Sequence, residues 1–241
     1  MSDWKERTTL LLGDGAMERL RRAHVAVVGL GGVGGAAAEM LARAGVGTLT
    51  LIDSDTVSDT NRNRQLCALV STVGKSKIDV VSARLRDINP DIRLHLLREF
   101  LCEENVAALL PQGLDYVVDA IDTLSPKIAL IQWCLANRLP LVSSMGSGAK
   151  TDGTRVRIAD ISKTRMCPLA HMLRKRLHHF GITEGFLAVY SEEKPDENAI
   201  VKEESRNKRS NVGTVAWLPA VFGCACAQAA VLAIAKQGEN L

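Results

Sequence analysis

Aromatic residues are scarce in this chain. At 4% of 241 residues, they cannot fill an interior, so a chain that is 46% hydrophobic must build its core from Leu, Val, Ile and Ala. The length suits one large α/β domain spanning residues 1–241. An excess of one charge is lacking too. The 30 basic and 27 acidic residues leave only +3, too little by itself to imply a nucleic acid, a membrane or an acidic partner. No C-x-x-C pair occurs among the six cysteines at 67, 102, 134, 167, 224 and 226. That excludes a ribbon-type zinc site, and the spacing does not read as a disulfide framework. Single thiols in apolar surroundings fit a reducing cytosol, and Cys224 and Cys226 are expected to serve packing. Residues 1–20 are charged and polar, without the apolar run of a secretory leader. Residues 212–235 lack charge over 24 positions, long enough to cross a membrane. Gly213, Pro219, Gly223 and the many Ala and Cys residues make a buried core or dimer-interface helix the better expectation.

What is present is organised around residues 24–53. Residues 25–28 form a short apolar run, the length of a buried strand. Gly29, Gly31 and Gly34 follow in G-x-G-x-x-G spacing, with Gly32 between them. Residues 36–44 read as a helix of small side chains and 48–52 as a second buried strand ending at Asp53. The first glycine permits a tight turn, the second lets backbone approach a phosphate, and the third lets the helix pack on the sheet. The helix N-terminus then points its N–H groups at an anion. Asp53 lies 24 positions after Gly29, where a carboxylate can accept bonds from ribose hydroxyls.

Alternation continues beyond this unit. Residues 2–23 read as helical turns broken at Gly13 and Gly15. Residues 75–89 carry a helical apolar face ended by Pro90, and 93–97 form a strand. A short helix is expected over 103–110, a strand over 114–121, a helix over 126–137 and a strand over 139–143. This predicts a doubly wound, mainly parallel Rossmann-like sheet. Past Gly146 the pattern changes: an antiparallel strand at 155–160, a helix at 169–180 and a strand at 186–191 form an extension. Residues 191–211 hold eleven charged residues and read as a mobile crossing loop.

Polar residues cluster just past the strand ends. Asp53 is followed by Asp55, Asn61, Arg64, Gln65 and Lys77, cations and amides suited to a triphosphate and to charge on a leaving pyrophosphate. Asp122, beyond another strand, can ligate Mg2+ through one carboxylate. A dehydrogenase would instead need room for nicotinamide and a hydride-transfer site.

The runs G-L-G-G-V-G-G, L-I-D-S-D, N-R-N-R-Q, V-G-K-S-K, I-N-P and V-V-D-A-I-D resemble the E1-like superfamily of ThiF, MoeB and HesA adenylating enzymes. The resemblance implies ATP and Mg2+, adenylation of a carboxylate, and usually a homodimer. It places Asp53 on the ribose, Asn61, Arg64, Gln65 and Lys77 on the phosphates, and Asp122 on Mg2+. Arg7 resembles the arginine that reaches a neighbouring subunit's ATP. The C-x-x-C zinc ligands of the MoeB and ThiF branches are missing, and 191–211 offers no cysteine for sulfur or a thioester. Downstream, S-M-G-S-G-A-K-T-D-G-T, I-A-D-I-S-K-T, C-P-L-A and V-Y-S-E-E are similar to the tRNA threonylcarbamoyladenosine dehydratase family. That family activates the carboxylate of a modified adenosine at tRNA position 37, which cyclises with loss of water.

Residues 163–183 contain Lys163, Arg165, Arg174, Lys175 and Arg176, three histidines and no acid. Such a surface suits phosphates, although Leu169, Met172, Leu173 and Leu177 alone would explain an amphipathic helix. The reading is therefore a cytoplasmic, zinc-free, homodimeric ATP-dependent enzyme acting on tRNA, with sulfur-transfer proteins as further partners. Its rivals are an adenylyltransferase for a small ubiquitin-like carrier protein, a nucleotide-binding scaffold without turnover, and an NAD-dependent oxidoreductase. Retained Arg64, Lys77 and Asp122 argue against the scaffold. The residue types single out no general base for the cyclisation.

Overall fold

The computed structural model describes residues 3–202 and 210–236. Two short helices, α1 (Glu6–Leu12) and α2 (Asp14–Arg22), lead into strand β1 (His24–Val28). Then come α3 (Gly32–Arg43), β2 (Thr48–Ile52), α4 (Lys77–Ile88), β3 (Arg93–Leu97), α5 (Val106–Leu109), β4 (Tyr116–Asp119), α6 (Leu124–Ala136) and β5 (Leu141–Ser144). The remainder is β6 (Val156–Asp160), α7 (Pro168–His178), β7 (Leu187–Ser191), β8 (Ile200–Lys202), β9 (Ser210–Val212) and α8 (Trp217–Ala235).

Seven strands form one sheet in the order β3-β2-β1-β4-β5-β7-β6. All neighbours are parallel except β6, which runs antiparallel to β7. The chain leaves β1 for β2 on one side and later returns to β4 on the other. This reversal of strand order makes the carboxyl ends of β1 and β4 the topological switch point, where open α/β sheets place their ligand crevice.

Both faces of the sheet are covered, which is why its central strands are apolar throughout. Val25, Val27, Leu49, Leu51 and Val118 face a layer made by α2, α3, α4 and α8. Ala26, Val28, Val117, Leu141 and Ala188 face α5, α6 and α7. The uncharged run at the C-terminal side is α8, whose Leu218 and Phe222 have no exposed surface. Each such burial contributes about 1.5–3 kcal/mol. This helix is long and apolar enough to cross a membrane, yet here it is a core helix. It lies so close to α3 that a Cβ on Gly223 would sit 2.4 Å from the Val33 carbonyl oxygen and 2.7 Å from Ala36 Cβ.

The structure corrects several expectations. Gly13, at φ +83°, breaks the N-terminal helices, whereas Gly15 lies inside α2 because a glycine helical interior costs only about 1 kcal/mol. The expected mobile loop at 191–211 is ordered wherever it is described. Both Glu193 carboxylate oxygens accept from Thr151 N at 3.0 Å, and one accepts from Asp152 N at 2.7 Å. Strands β8 and β9 pair antiparallel, and Asp196 N donates to the Ala149 carbonyl at 2.8 Å. Backbone bonds to distant loops hold a polar segment without any apolar periodicity. Residues 203–209 of that stretch lie outside the described ones. Cys226 is buried as packing, but Cys224, two positions earlier, turns outward and is exposed.

Candidate active site

The glycine loop is built by contact distances. A Cβ on Gly34 would lie 1.7 Å from the Gly29 carbonyl oxygen, so any side chain there would push α3 off β1. Gly29 has φ +87°, and its Cβ position is 2.9 Å from the Ala120 carbonyl oxygen. The loops after β1 and β4 thus touch at the crevice. Asp53 braces the loop from the end of β2: one oxygen accepts from Leu30 N at 2.6 Å and the other from Asp55 N at 2.7 Å.

The polar segment after β2 folds back over this loop. Asn61 accepts from Ser58 N at 3.1 Å and closes a single 3-10 turn, Asp59–Asn61. Arg64 Nη1 donates to the Thr60 carbonyl at 2.9 Å and to Asn63 Oδ1 at 3.0 Å. The Arg64 carbonyl oxygen lies 3.0 Å from the Cβ position of Gly32. Buried Gln65 places its side-chain amide nitrogen 3.8 Å from the Cβ position of Gly31. Lys77 opens α4, is 5% exposed, and donates from Nζ to Asp55 Oδ2 at 2.6 Å. Asp55 is therefore the partner that orients the Lys77 ammonium. Burial raises the pKa of the neighbouring Cys67 thiol, with Lys77 acting against it. That thiol stays protonated and unreactive.

A third group was not legible from the sequence. Lys127 of α6 and Asp119 of β4 have 0% exposure and pair at 2.6 Å. Lys127 Nζ also donates to Ser143 Oγ at 3.1 Å and to the Ser144 carbonyl at 3.0 Å, while Ser143 Oγ donates to Asp119 at 2.6 Å. The other Asp119 oxygen accepts from Ile121 N at 3.0 Å. This network ties the ends of β4 and β5 together and fixes the segment that carries Asp122, whose side chain is exposed at the crevice. The one available signal was a lone charge in an otherwise apolar helix, L-S-P-K-I-A-L-I-Q-W-C-L-A. Lys150, in the loop after β5, is 3% exposed and donates to the Gly146 carbonyl at 2.8 Å. Burial lowers its pKa, against the pull of Cys167 and Glu193.

The structure gathers Gly29, Gly31, Gly32, Gly34, Asp53, Asp55, Asn61, Arg64, Gln65, Lys77 and Asp122 at one sheet edge. Arg7 is elsewhere. It is exposed on α1, and nearby Lys5 packs 3.3 Å from the Cβ position of Gly45, beyond the far end of α3. A 12-residue helix puts that end about 18 Å from the glycine loop. Among the basic residues around α7, Lys163, Arg165, Lys175 and Arg176 are exposed. Arg165 pairs with Glu192. Arg174 is half-buried and turned inward, donating to the carbonyl and hydroxyl oxygens of Thr164.

A glycine loop at a topological switch point, with cations and carboxylates closing over it, defines a nucleotide-binding α/β protein of the E1-like kind. The ThiF family model matches residues 6–241, and the chain belongs to that family. It is 46% identical over 205 residues to the tRNA threonylcarbamoyladenosine dehydratase of Bacillus subtilis (strain 168), covering 85% of this chain and 80% of that protein. The crystal structure of the Escherichia coli tRNA N6-threonylcarbamoyladenosine dehydratase in complex with ATP superposes with a TM-score of 0.89 at 38% identity, covering 98% and 99% of the two chains. The molybdopterin-synthase adenylyltransferase of E. coli (strain K12) is 40% identical, but over 136 residues, 56% of this chain and 53% of that one.

Proposed function

We propose that the chain is an ATP-dependent enzyme that dehydrates N6-threonylcarbamoyladenosine at position 37 of tRNA by adenylating its carboxylate. The observation that carries this reading is the assembly of glycine loop, Asp53, Lys77 and Asp122 at one edge, in a chain so similar to such dehydratases over most of its length. Each oxygen of Asp53 keeps a lone pair beyond its backbone bond, so the carboxylate can take the ribose hydroxyls. The phosphates then lie over the N-terminus of α3, where backbone N–H groups and the helix dipole favour an anion. Lys77, Arg64 and Asn61 border that position.

Among the described residues no group of three or more His, Cys, Asp or Glu could hold a metal ion. Mg2+ binds through only one or two carboxylates together with nucleotide phosphates, and Asp122 is the exposed carboxylate that would supply one here. Mg2+ there would neutralise negative charge on the pyrophosphate. The substrate carboxylate attacks the α-phosphorus, and pyrophosphate leaves. Lys77 and Arg64 stabilise the charge that builds on it. A substrate nitrogen then attacks the acyl carbon, its proton goes to solvent, and AMP departs with one carboxylate oxygen. The net change in the nucleoside is loss of water. Arg7 is the residue a partner subunit would contribute, so the active form in this reading is a homodimer in the cytoplasm, where tRNA is found.

The test incubates the protein with ATP, Mg2+ and tRNA carrying the modified nucleoside, followed by nucleoside mass spectrometry. Wild type is expected to yield the dehydrated nucleoside. Asp122→Ala should abolish turnover while tRNA affinity stays within about twofold, because Asp122 acts on phosphates rather than on RNA. Absence of product, with pyrophosphate exchange supported by a small carrier protein's C-terminal glycine, would overturn the reading in favour of carrier activation.

A further inference from the structure

Besides Pro168, His171, His178 and His179, the segment from Lys163 to Phe180 presents two kinds of side chain to solvent, and the adenylation chemistry uses neither. The first is cationic. Lys175 and Arg176 lie on the outer face of α7, with Lys163 and Arg165 in the lead-in before it. The second is apolar and large: Met166 is 59% exposed, Met172 50% and Phe180 59%. An amphipathic helix packed on a sheet needs only its inner stripe, which Ala170, Leu173 and Leu177 supply. It gains nothing from methionines and a phenylalanine on the outside. Met166 is also held at φ +59°, a left-handed conformation unfavourable for a residue with a long side chain.

The position of this surface matters as much as its content. Cys167 and Leu169, at the start of α7, approach the Cβ position of Gly146 to 3.8 Å. Gly146 belongs to the loop after β5, on the same carboxyl edge as the glycine loop. The exposed face therefore begins beside the catalytic edge and runs away from it for about 16 Å, the length of an 11-residue helix. Cations alternating with apolar faces are the chemistry of single-stranded nucleic acid, in which the backbone needs positive charge and each unstacked base needs a flat or polarisable surface. A duplex hides its base faces and would leave Met166, Met172 and Phe180 without a partner.

We propose that this surface is a platform for unpaired nucleotides of an RNA loop. Lys163, Arg165, Lys175 and Arg176 contact backbone phosphates, and Met166, Met172 and Phe180 contact base faces. Its placement leads one splayed base into the crevice while neighbouring nucleotides rest along α7. This rests on the RNA substrate proposed above and adds the structural form in which the RNA is recognised.

The experiment measures fluorescence anisotropy of the full-length protein with two probes, a hairpin RNA with an unpaired loop and a blunt duplex of the same stem. The hairpin is expected to bind about tenfold tighter, the gain from stacking a base or more. Phe180→Ala should remove most of that preference without changing the salt dependence, since it deletes no charge. Lys175→Glu with Arg176→Glu should weaken both probes and lower the salt slope by about 1 to 2. Phe180 is exposed, so its variant should fold, and circular dichroism confirms this. Equal binding of the two probes, or a Phe180→Ala preference identical to wild type, overturns the platform. If wild type still dehydrates the modified tRNA in that case, the proposed function survives; if no RNA turns over, that reading fails independently.

Discussion

Lys127 is charged, yet it has no exposed surface. A buried ion pair of this kind is a delicate element: removing one partner strands the other charge in the interior. Lys127→Met should therefore lower the urea midpoint by an amount equivalent to about 3–5 kcal/mol. Adding Asp119→Asn should recover most of the loss, since neither charge is then unmatched. Failure of the double variant to recover would mean that Lys127 acts through packing alone. His24 is a second residue with a calculable consequence. Its ring stands 5.3 Å from that of His95, and its Nε2 lies 2.8 Å from Thr50 Oγ1. Burial, then His95, lowers its pKa below 6.5; Asp115 opposes this and Arg93 adds to it. The unfolded chain thus binds that proton more readily than the folded one. The stability involved is complete above pH 6.5 and is lost as pH falls from there through the lower folded-state value. Thermal melts between about pH 7.5 and about pH 5 should decline less steeply in His24→Gln than in wild type, and identical slopes would refute this. That the polar residues after β2 and β4 gather at one edge was legible because each stands next to a strand end in a recognisable order. Lys127 was not, because nothing local says that a helical lysine faces inward across two strand ends.

Elements differ in how openly the sequence announces them. The strands around the glycine loop could be read closely, since burial on both faces leaves uninterrupted apolar runs. Helix α8 was equally open as an uncharged run, and its small residues correctly suggested close packing. The β8–β9 ribbon was hidden, because it is held by backbone bonds to the loop after β5 and composition carries no trace of such bonds. Helix α7 was recognised, but which of its arginines turned inward depended on the Thr164 oxygens brought beneath Arg174. The contact between α3 and α8 offers a test at this scale. Gly223→Val would drive a side chain into the Val33 carbonyl and Ala36. It should destabilise by about 1–3 kcal/mol, read as a fall in melting temperature. ATP affinity should drop as well, because α3 carries the glycine loop at its N-terminus. An unchanged melting temperature would show that the helices separate freely.

At the scale of the molecule, Arg7 and the crevice lie at opposite ends of α3. A single chain does not bring them together, whereas two chains related by a two-fold axis can exchange N-terminal helices symmetrically. Arg7→Ala and Asp122→Ala should each be inactive alone. Mixed after dissociation and reassociation, they should regain about a quarter of wild-type turnover, because half the dimers are mixed and each of those holds one intact site. No recovery would place Arg7 outside the site. The resemblance alone assigned Arg7 to a neighbouring subunit's site, and no local residue pattern says how far α1 lies from the crevice of its own chain. The packing of α8 has one more consequence, which concerns time. The glycine loop is synthesised within the first few dozen residues, but its helix lacks the backing of α8 until residues 217–235 have left the ribosome. A nascent chain can thus complete its sheet while α3 still has an open apolar flank. The helix that backs the glycine loop is thus the last element of the described fold to be made.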